Sequence, residues 1–259
     1  MATGSRDRGE VLNFQRIRRL PMVLQTMLCL TAMSLSQACQ AGAFSVSPVR
    51  LVFEPRDRAV ALTLTNDGDA EVALQADLFQ WDQDAQGADR LRPTEDLIVA
   101  PPSLKMPPRS RQVVRLALLS PRDPTRQSTY RLLVREIPEA TAAATGTVQL
   151  PIALVLSLPV FITPPGARHA IECKQAEGQE SGVIRCLNQG TAHAQVRRLE
   201  LKQAGQIRAS TQTSAYLLSG SQRDFVLKAA ESPLPALPAA GELELTVWFD
   251  DGKTQTFGW

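Results

Sequence analysis

The feature that most constrains this chain is an uncharged run, residues 148–162, in which a large aliphatic side chain recurs at every second position. The aliphatic positions are Val148, Leu150, Ile152, Leu154, Leu156, Leu158, Val160 and Ile162. A period of two is typical of a β-strand. Pro151 and Pro159 exclude a central strand over the whole run, because proline has no N–H to donate to a ladder. Both prolines lie at odd positions, so they remove donors from one edge and leave the other able to pair fully.

Two interpretations of this run are open. It is either a core strand of a sandwich along its whole length, or an edge strand that lends its aliphatic row to another protein. Edge strands usually carry charges or bulges that discourage pairing, and this run carries no charge. The second interpretation predicts that a partner pairs with the run by β-augmentation. The same exposed row predicts a hazard of self-association in the free protein.

The remainder of the chain indicates an all-β fold. Val60, Leu62 and Leu64 alternate with smaller or polar residues, and the turn sequence Asn66-Asp67-Gly68 follows. Aromatic residues make up only 5% of the chain, whereas there are 18 Pro and 15 Gly, a mixture that suits short strands and many turns. Runs of this kind favour a β-sandwich over an α/β fold.

The sequence Thr163-Pro164-Pro165-Gly166 is the best linker in the chain. The blocks before and after it each have the size of one sandwich. We therefore predict two domains, residues 44–163 and residues 164–259.

Residues 1–43 have the order of a secretory signal peptide. Basic residues, among them Arg18 and Arg19, precede an apolar run from Leu20 to Leu35, and the small residues Ala41-Gly42-Ala43 follow as a cleavage site. The run is too short and interrupted for a good membrane span, so no membrane insertion is expected. Lipoprotein processing at Cys39 is the alternative, although Ser36 does not fit the large aliphatic residue usual at the −3 position.

Cys173 and Cys186 remain after removal of this leader, and they form an even pair in an oxidising compartment. Glycines lie between them, so the pair is predicted to join the two strands of a hairpin as a disulfide. Closing so short a loop contributes about 3 kcal/mol in the chain-entropy model. A zinc site is not expected, because there is no Cys-x-x-Cys and the chain has only 2 His.

Charge and motifs argue against two other classes of function. The formal net charge is only +2, and the leader carries the positive excess, so no nucleic-acid partner is expected. No Gly-x-Ser-x-Gly motif and no glycine-rich phosphate loop is present. His169 and His193 are the only histidines available to a triad or a metal mechanism. We predict no enzymatic activity and no cofactor.

Four segments in order resemble the PapD-like periplasmic chaperones of chaperone–usher pili. Phe44–Phe53 and Val60–Asn66 resemble the first two strands of that family, and Pro101–Leu116 resembles its proline-rich turn and the strand after it. Tyr130–Pro138, which reads YRLLVREIP, is the segment most similar to a family signature. The resemblance covers nearly all of residues 44–165. Over residues 166–259 it is confined to size, strand pattern and an Asp-Asp-Gly after a strand.

The resemblance implies two immunoglobulin-like sandwiches in an L-shaped arrangement. It also implies a periplasmic chaperone that completes an unfinished pilin with its own strand and delivers the subunit to an outer-membrane usher. The donor residues implied by position are Val148, Leu150, Ile152, Leu154 and Leu156.

Members of this family also hold the C-terminal carboxylate of the pilin with two basic residues. Arg50 matches the first, and a guanidinium suits a carboxylate because its donors are paired and always charged. The second, a Lys, falls on Pro159 here, and an Arg of an interdomain ion pair falls on Thr163. Both departures resemble the divergent archaic branch. Candidate substitutes for the missing Lys are Arg115, Arg131 and Arg135.

A secreted adhesive or carbohydrate-binding sandwich is the alternative function. Trp81 and Trp248 are the aromatic side chains that would stack on a sugar. Both lie within strand patterns, where core packing accounts for them. A sugar binder has no use for a long neutral aliphatic strand, whereas a strand donor requires one.

Overall fold

Strands make up all the regular secondary structure in the part of the chain that this computed structural model describes. The described residues are 44–138, 153–176, 182–229 and 243–258. The predicted all-β class is confirmed. The predicted leader, residues 1–43, and three predicted donor residues, Val148, Leu150 and Ile152, lie outside the described residues. Within them, no helix has the length and apolar character needed to span a membrane.

The first block of strands forms two sheets around one core. In chain order its strands are β1 (Phe44–Ser47), β2 (Leu51–Phe53), β3 (Ala59–Asn66), β4 (Val72–Gln83), β5 (Asp89–Pro93), β6 (Leu97–Ala100), β7 (Ser103–Met106), β8 (Arg111–Leu118), β9 (Ser128–Ile137) and β10 (Val155–Ile162). Among the described strands, one sheet has the order β1-β3-β8-β6. The other has the order β2-β10-β9-β4-β5, with β7 also paired to β4.

The second block repeats this two-sheet arrangement. Its strands are β11 (Ile171–Gln175), β12 (Val183–Asn188), β13 (Ala194–Gln203), β14 (Gln206–Leu217), β15 (Gln222–Val226), β16 (Lys228–Ala229), β17 (Leu243–Phe249) and β18 (Thr254–Gly258). The described strands are ordered β11-β12-β15 in one sheet and β16-β14-β13-β17-β18 in the other. None of these sheets combines described strands of both blocks. The domain boundaries at residues 163 and 164 stay a prediction.

The period of two accounts for the two cores. In β3, Leu62 and Leu64 are buried, while Ala61 before them is exposed and Thr63 between them is only partly buried, as a pleated strand with one covered face requires. The inward side chains of the first block form one cluster, which includes Phe53, Leu116 and Leu132. A separate cluster, which includes Leu199 and Val247, fills the second block.

Each block contains a buried asparagine whose side chain hydrogen-bonds to the backbone of the following turn. The Asn66 side chain donates to the Ala70 carbonyl at 2.8 Å and accepts from the Gly68 N–H at 3.0 Å. Asn188 makes the corresponding bonds, donating to the Ala192 carbonyl and accepting from the Gly190 N–H. Each buried amide has its own polar atoms satisfied by backbone groups of the turn that follows it, so each fixes one corner of its sandwich. The predicted turn after Asn66 is therefore confirmed.

The two blocks also contact each other directly. Trp81 and Phe161 of the first block pack with Leu218 of the second in a third apolar cluster. The Gln83 side chain donates to the Tyr216 carbonyl and accepts from the Leu218 N–H, both at 2.9 Å. Arg50 and Arg131 of the first block also approach Tyr216 of the second, and the place where these residues meet is called the cleft below.

Candidate functional site: an open strand edge beside a basic cleft

The two ends of β10 have different neighbours. Along its whole length β10 pairs antiparallel with β9, from Val155 opposite Arg135 to Ile162 opposite Ser128. On its other side β2 pairs in parallel, but only with Val160–Ile162. Residues 155–159 therefore have a neighbour on one side only among the described strands. Part of the aliphatic run is thus a central strand and part is a sheet edge.

Burial follows the same division. Leu158, Val160 and Ile162 are at most 5% exposed and belong to the core of the first block. Leu154 and Leu156 continue the same row on the same face, but they are only partly buried and pack against the margin of that core. The aliphatic row therefore extends from the closed core towards solvent.

One backbone hydrogen bond defines which groups face the open edge. The N–H of Glu136 on β9 donates to the carbonyl of Leu154 at 2.9 Å. Backbone groups of a strand alternate in direction, so the even-numbered groups of β10 face β9 and the odd-numbered groups face the other edge. Val155 and Ser157 thus direct their N–H groups to the open edge. Pro159 removes a donor from that same edge, and the β9 ladder keeps all its donors.

Arg50 lies in the bend between β1 and β2 and reaches across the cleft into the second block. Its Nη1 donates to Oδ2 of Asp250 at 2.7 Å, and its Nη2 donates to the Gln195 amide oxygen and to the Tyr216 hydroxyl. Burial disfavours the charge on Arg50, but the hydrogen bonds to Asp250 and Tyr216 outweigh it and raise its pKa. About a third of the side chain, 35%, stays exposed.

Arg131 is the candidate substitute that lies in this cleft. It is the cross-strand neighbour of Pro159, the position where a Lys was expected from the resemblance. Its guanidinium carbon lies 3.7 Å from the Trp81 ring centroid and 5.3 Å from that of Tyr216. Burial lowers the pKa of Arg131, and Asp89, whose carboxylate is 3.8 Å away, offsets only part of this effect. Arg50 is 5.9 Å from the same Tyr216 ring, so one ring contacts both cations.

The other two candidates lie elsewhere. Arg135 is opposite Val155, at the open end of β10, and its guanidinium pairs with Asp77 at 2.6 Å. Arg115 is exposed on β8 in the opposite sheet, between Ala61 and Ala100. The structure does not bring either of them to the cleft.

The second block supplies site residues that sequence reasoning did not single out. Gln195, Tyr216 and Asp250 contact Arg50 from strands β13 and β14 and from the turn after β17. Only Asp250 had a signal, as part of the Asp-Asp-Gly that resembles the family. The others sit in ordinary strand patterns, and only the packing of the two blocks places them.

Neutral groups connect the blocks at Thr163, the position where the family that the sequence resembles has an arginine of an interdomain ion pair. The Thr163 hydroxyl accepts a hydrogen bond from the Gln127 side chain at 2.6 Å. The Gln127 amide oxygen in turn lies 2.8 Å from Nδ1 of His193, and the His193 ring stacks on Phe161 at 3.7 Å. Burial, with a smaller effect of the Arg50 charge, lowers the pKa of His193 to about 4. His193 is thus a neutral packing residue at neutral pH.

The predicted disulfide is confirmed. Cys173 on β11 and Cys186 on β12 are directly opposite each other and are bonded, with the two Cα atoms 4.1 Å apart. Over the described residues, no cluster of three or more His, Cys, Asp or Glu side chains could hold a metal ion.

The tryptophans bear on the alternative function. Trp81 is fully buried, so it is unable to stack on a sugar. Trp248 is partly buried, and the Arg198 guanidinium lies over its ring at 5.4 Å. Trp81 packs in the apolar cluster that joins the blocks, and Trp248 contacts Arg198.

Two immunoglobulin-like sandwiches with a cleft between them define the class of this protein, and solved structures share this fold. One is the chaperone–tip subunit pre-assembly complex CsuC–CsuE from archaic chaperone-usher Csu pili of Acinetobacter baumannii. It is 18% identical with a TM-score of 0.60, and the match covers 83% of this chain and 96% of that one. Another is the Salmonella enterica SafA pilin in complex with the SafB chaperone, 11% identical with a TM-score of 0.55, covering 86% of this chain and 99% of that one.

Sequence comparison adds a family match for part of the chain. Residues 43–168 match the family described as pili and flagellar-assembly chaperone, PapD N-terminal domain, so this part of the chain is similar to pilus-assembly chaperones. A curated relative is the probable fimbrial chaperone LpfB of Escherichia coli O157:H7, 27% identical over 135 residues. That match spans about half of each protein, 52% of this chain and 55% of the relative.

Proposed function

We propose that this protein is a periplasmic chaperone that binds pilin subunits by donating a strand to them and delivers them to an outer-membrane usher. The strand is the aliphatic run that ends in β10. Its donor residues are Val148, Leu150, Ile152, Leu154 and Leu156. No nucleotide and no cofactor takes part, because the free energy of binding comes from burial and backbone pairing alone.

The observation that carries the proposal is the open edge of β10. Its even-numbered side chains leave the closed core at Leu156, and the N–H groups of Val155 and Ser157 at the same end face an edge where no described strand pairs with them. A partner strand placed there gains ladder hydrogen bonds and covers the aliphatic row. Each fully covered aliphatic contributes about 1.5–3 kcal/mol, less for Leu154 and Leu156, which are already partly buried.

The cleft supports a role for Arg50 in holding the C-terminal carboxylate of the pilin. Arg50 precedes β2, whose pairing with β10 ends where the open edge begins. We propose Arg131 as the second basic residue, in place of the Lys expected at Pro159. It lies opposite Pro159 and contacts the same Tyr216 ring as Arg50. Two guanidiniums at one cleft suit a single carboxylate.

Compartment and partners follow from the same proposal. The leader-like residues 1–43 and the Cys173–Cys186 disulfide suit the oxidising periplasm. In the absence of a pilin, the open edge of β10 is expected to pair with a second copy of the chain. The two departures from the family pattern, at Pro159 and Thr163, support a place in the archaic branch.

A co-expression pull-down tests the function. The chain is expressed with pilin-like subunits encoded beside its gene, as wild type, Leu154→Asp and Leu156→Asp. Wild type is expected to retain a subunit in a 1:1 complex, and both variants are expected to fold but lose it, because a carboxylate in the row would be buried unpaired in the complex.

Val226→Asp is the matched control. Val226 is also exposed, at 69%, on β15, a strand with one neighbour among the described strands, but it lies in the second block. This control should retain the subunit. Retention of no subunit by wild type, or equal retention by Leu156→Asp, would contradict strand donation.

A further inference from the structure

Arg50 already holds a carboxylate in the free protein. Oδ2 of Asp250 lies 2.7 Å from Nη1, while Gln195 and Tyr216 occupy Nη2. Both terminal nitrogens of the guanidinium are therefore engaged by the second block. A partner carboxylate that binds both terminal nitrogens of Arg50 must therefore compete with the Asp250 carboxylate, which is already bound at Nη1.

The position of Asp250 is set by a tight turn between β17 and β18. The Asp250 N–H donates to the Gln195 carbonyl at 3.1 Å, and the Gly252 N–H donates to the Phe249 carbonyl at 3.2 Å. Gly252 has a φ of +79°, a conformation that glycine adopts without strain. The neighbouring Asp251 pairs instead with Lys253 at 2.8 Å. The turn thus presents one of its two adjacent carboxylates to Arg50.

We propose that Asp250 is a resident carboxylate that occupies Arg50 until the C-terminal carboxylate of a partner displaces it. The inference rests on the proposed function of the cleft. With Asp250 in place, Arg50 faces Asp250 and Arg131 faces Asp89, so each cation of the cleft already has a carboxylate partner in the free protein. Isolated carboxylates then compete poorly for Arg50. A partner strand that also pairs with β10 gains enough free energy to displace Asp250, so the ion pair makes the cleft selective for carboxylates at the end of a strand.

The test measures carboxylate binding without requiring a known pilin. The probe is a fluorescein-labelled synthetic peptide of alternating Val and Thr with a free C-terminal carboxylate, and its twin carries a C-terminal amide. Fluorescence anisotropy gives the affinity of the full chain for each. The variants are Asp250→Asn, Arg50→Ala, the combination of the two, and Asp251→Asn as the matched control in the same turn.

Displacement predicts that Asp250→Asn binds the acid peptide about two- to fivefold tighter than wild type, the change expected from removing one partly exposed ion pair. Its affinity for the amide peptide should not change. The gain should vanish in the Arg50→Ala background, and Asp251→Asn should bind like wild type. A purely structural role for Asp250 would weaken both peptides alike and produce no gain.

If Asp250→Asn binds the acid peptide no more tightly than wild type does, the displacement inference is wrong. The carboxylate anchor itself still stands in that case if Arg50→Ala lowers the affinity for the acid peptide but not for the amide peptide. If wild type and Arg50→Ala bind the acid and amide peptides equally well, the carboxylate anchor in the proposed function fails as well. Thermal melting of each variant gives the folded fraction, and Asp250→Glu, which keeps the charge, should restore wild-type affinity.

Discussion

The two halves of β10 have the same sequence pattern and different surroundings. In the closed half, Leu158–Ile162, β9 and β2 flank the terminal residues and the even side chains are buried in the core. In the open half, Val155–Ser157, only β9 is present among the described strands, and 51% of Val155 is exposed. Alternation of aliphatic residues therefore predicts that one face of the strand is covered, but it does not indicate which molecule covers that face.

The odd-numbered face adds a second difference. In the closed half, Phe161 packs on Trp81 and stacks on His193 of the second block. Val155 and Ser157, the odd residues of the open half, are exposed. The closed half thus joins the two sandwiches, while the open half is left for the role that we propose. Three experiments test this contrast, beginning with the largest expected effect.

Charge substitution at successive positions of the even row should separate the halves. Leu158→Asp places an unpaired carboxylate in the core and is expected to cost roughly 3–5 kcal/mol of the free energy of unfolding. Leu156→Asp is expected to cost about 1–2 kcal/mol, because solvent still reaches this position. Urea denaturation of both variants gives the difference. Equal losses would mean that Leu156 is as enclosed as Leu158 and that the strand is not open there.

Acidification should weaken the closed half through His193. The folded pKa of His193 is about 4, below the ordinary value of 6.5, so the unfolded chain binds the extra proton between these pH values. Stability is therefore fully present above pH 6.5 and is lost as the pH falls towards 4. Between pH 7 and pH 5 the loss should be about 2 kcal/mol.

Urea denaturation at both pH values checks this expectation. His193→Gln should abolish most of the pH dependence, while His169→Gln, the control at the other histidine of the chain, should keep it. An unchanged pH dependence in His193→Gln would assign the effect to other groups.

The smallest expected effect concerns two arginines of β9, Arg135 opposite the open half of β10 and Arg131 opposite the closed half. Arg135→Ala removes an ion pair with Asp77 in which both side chains are partly exposed, so it should change stability by no more than about 1 kcal/mol. It should leave subunit retention unchanged. Arg131→Ala, opposite Pro159, should weaken retention, since the proposed second anchor is lost. The co-expression pull-down measures both, and the reverse ranking would move the anchor to the open half.

Much of the fold could be predicted from particular residues. The alternation at Val60, Leu62 and Leu64 predicted β3, and Asn66-Asp67-Gly68 predicted the turn after it. The spacing of Cys173 and Cys186 predicted a hairpin disulfide. These features depend on neighbours close in the chain, where side-chain direction and turn geometry follow from covalent structure.

The candidate site was less predictable. The resemblance pointed to Arg50, but three arginines remained equivalent as substitutes for the missing Lys. The register of β9 against β10 singles out Arg131, because it places this residue opposite Pro159. No local pattern could predict that Asp250, 200 positions from Arg50, would be its ion-pair partner.

By itself the sequence determined that strands would form and where many of them lie. It also determined that the long uncharged row of aliphatic side chains would have to be buried away from water. These are properties of a pleated chain whose side chains alternate and whose apolar surface leaves water. The tertiary structure alone decided where β2 stops beside β10, and hence where the row changes from core to open edge. It also decided which charges meet in the cleft. Both depend on how distant segments pack, because hydrogen-bond partners and ion pairs across a sheet or between two sandwiches are chosen by three-dimensional contact.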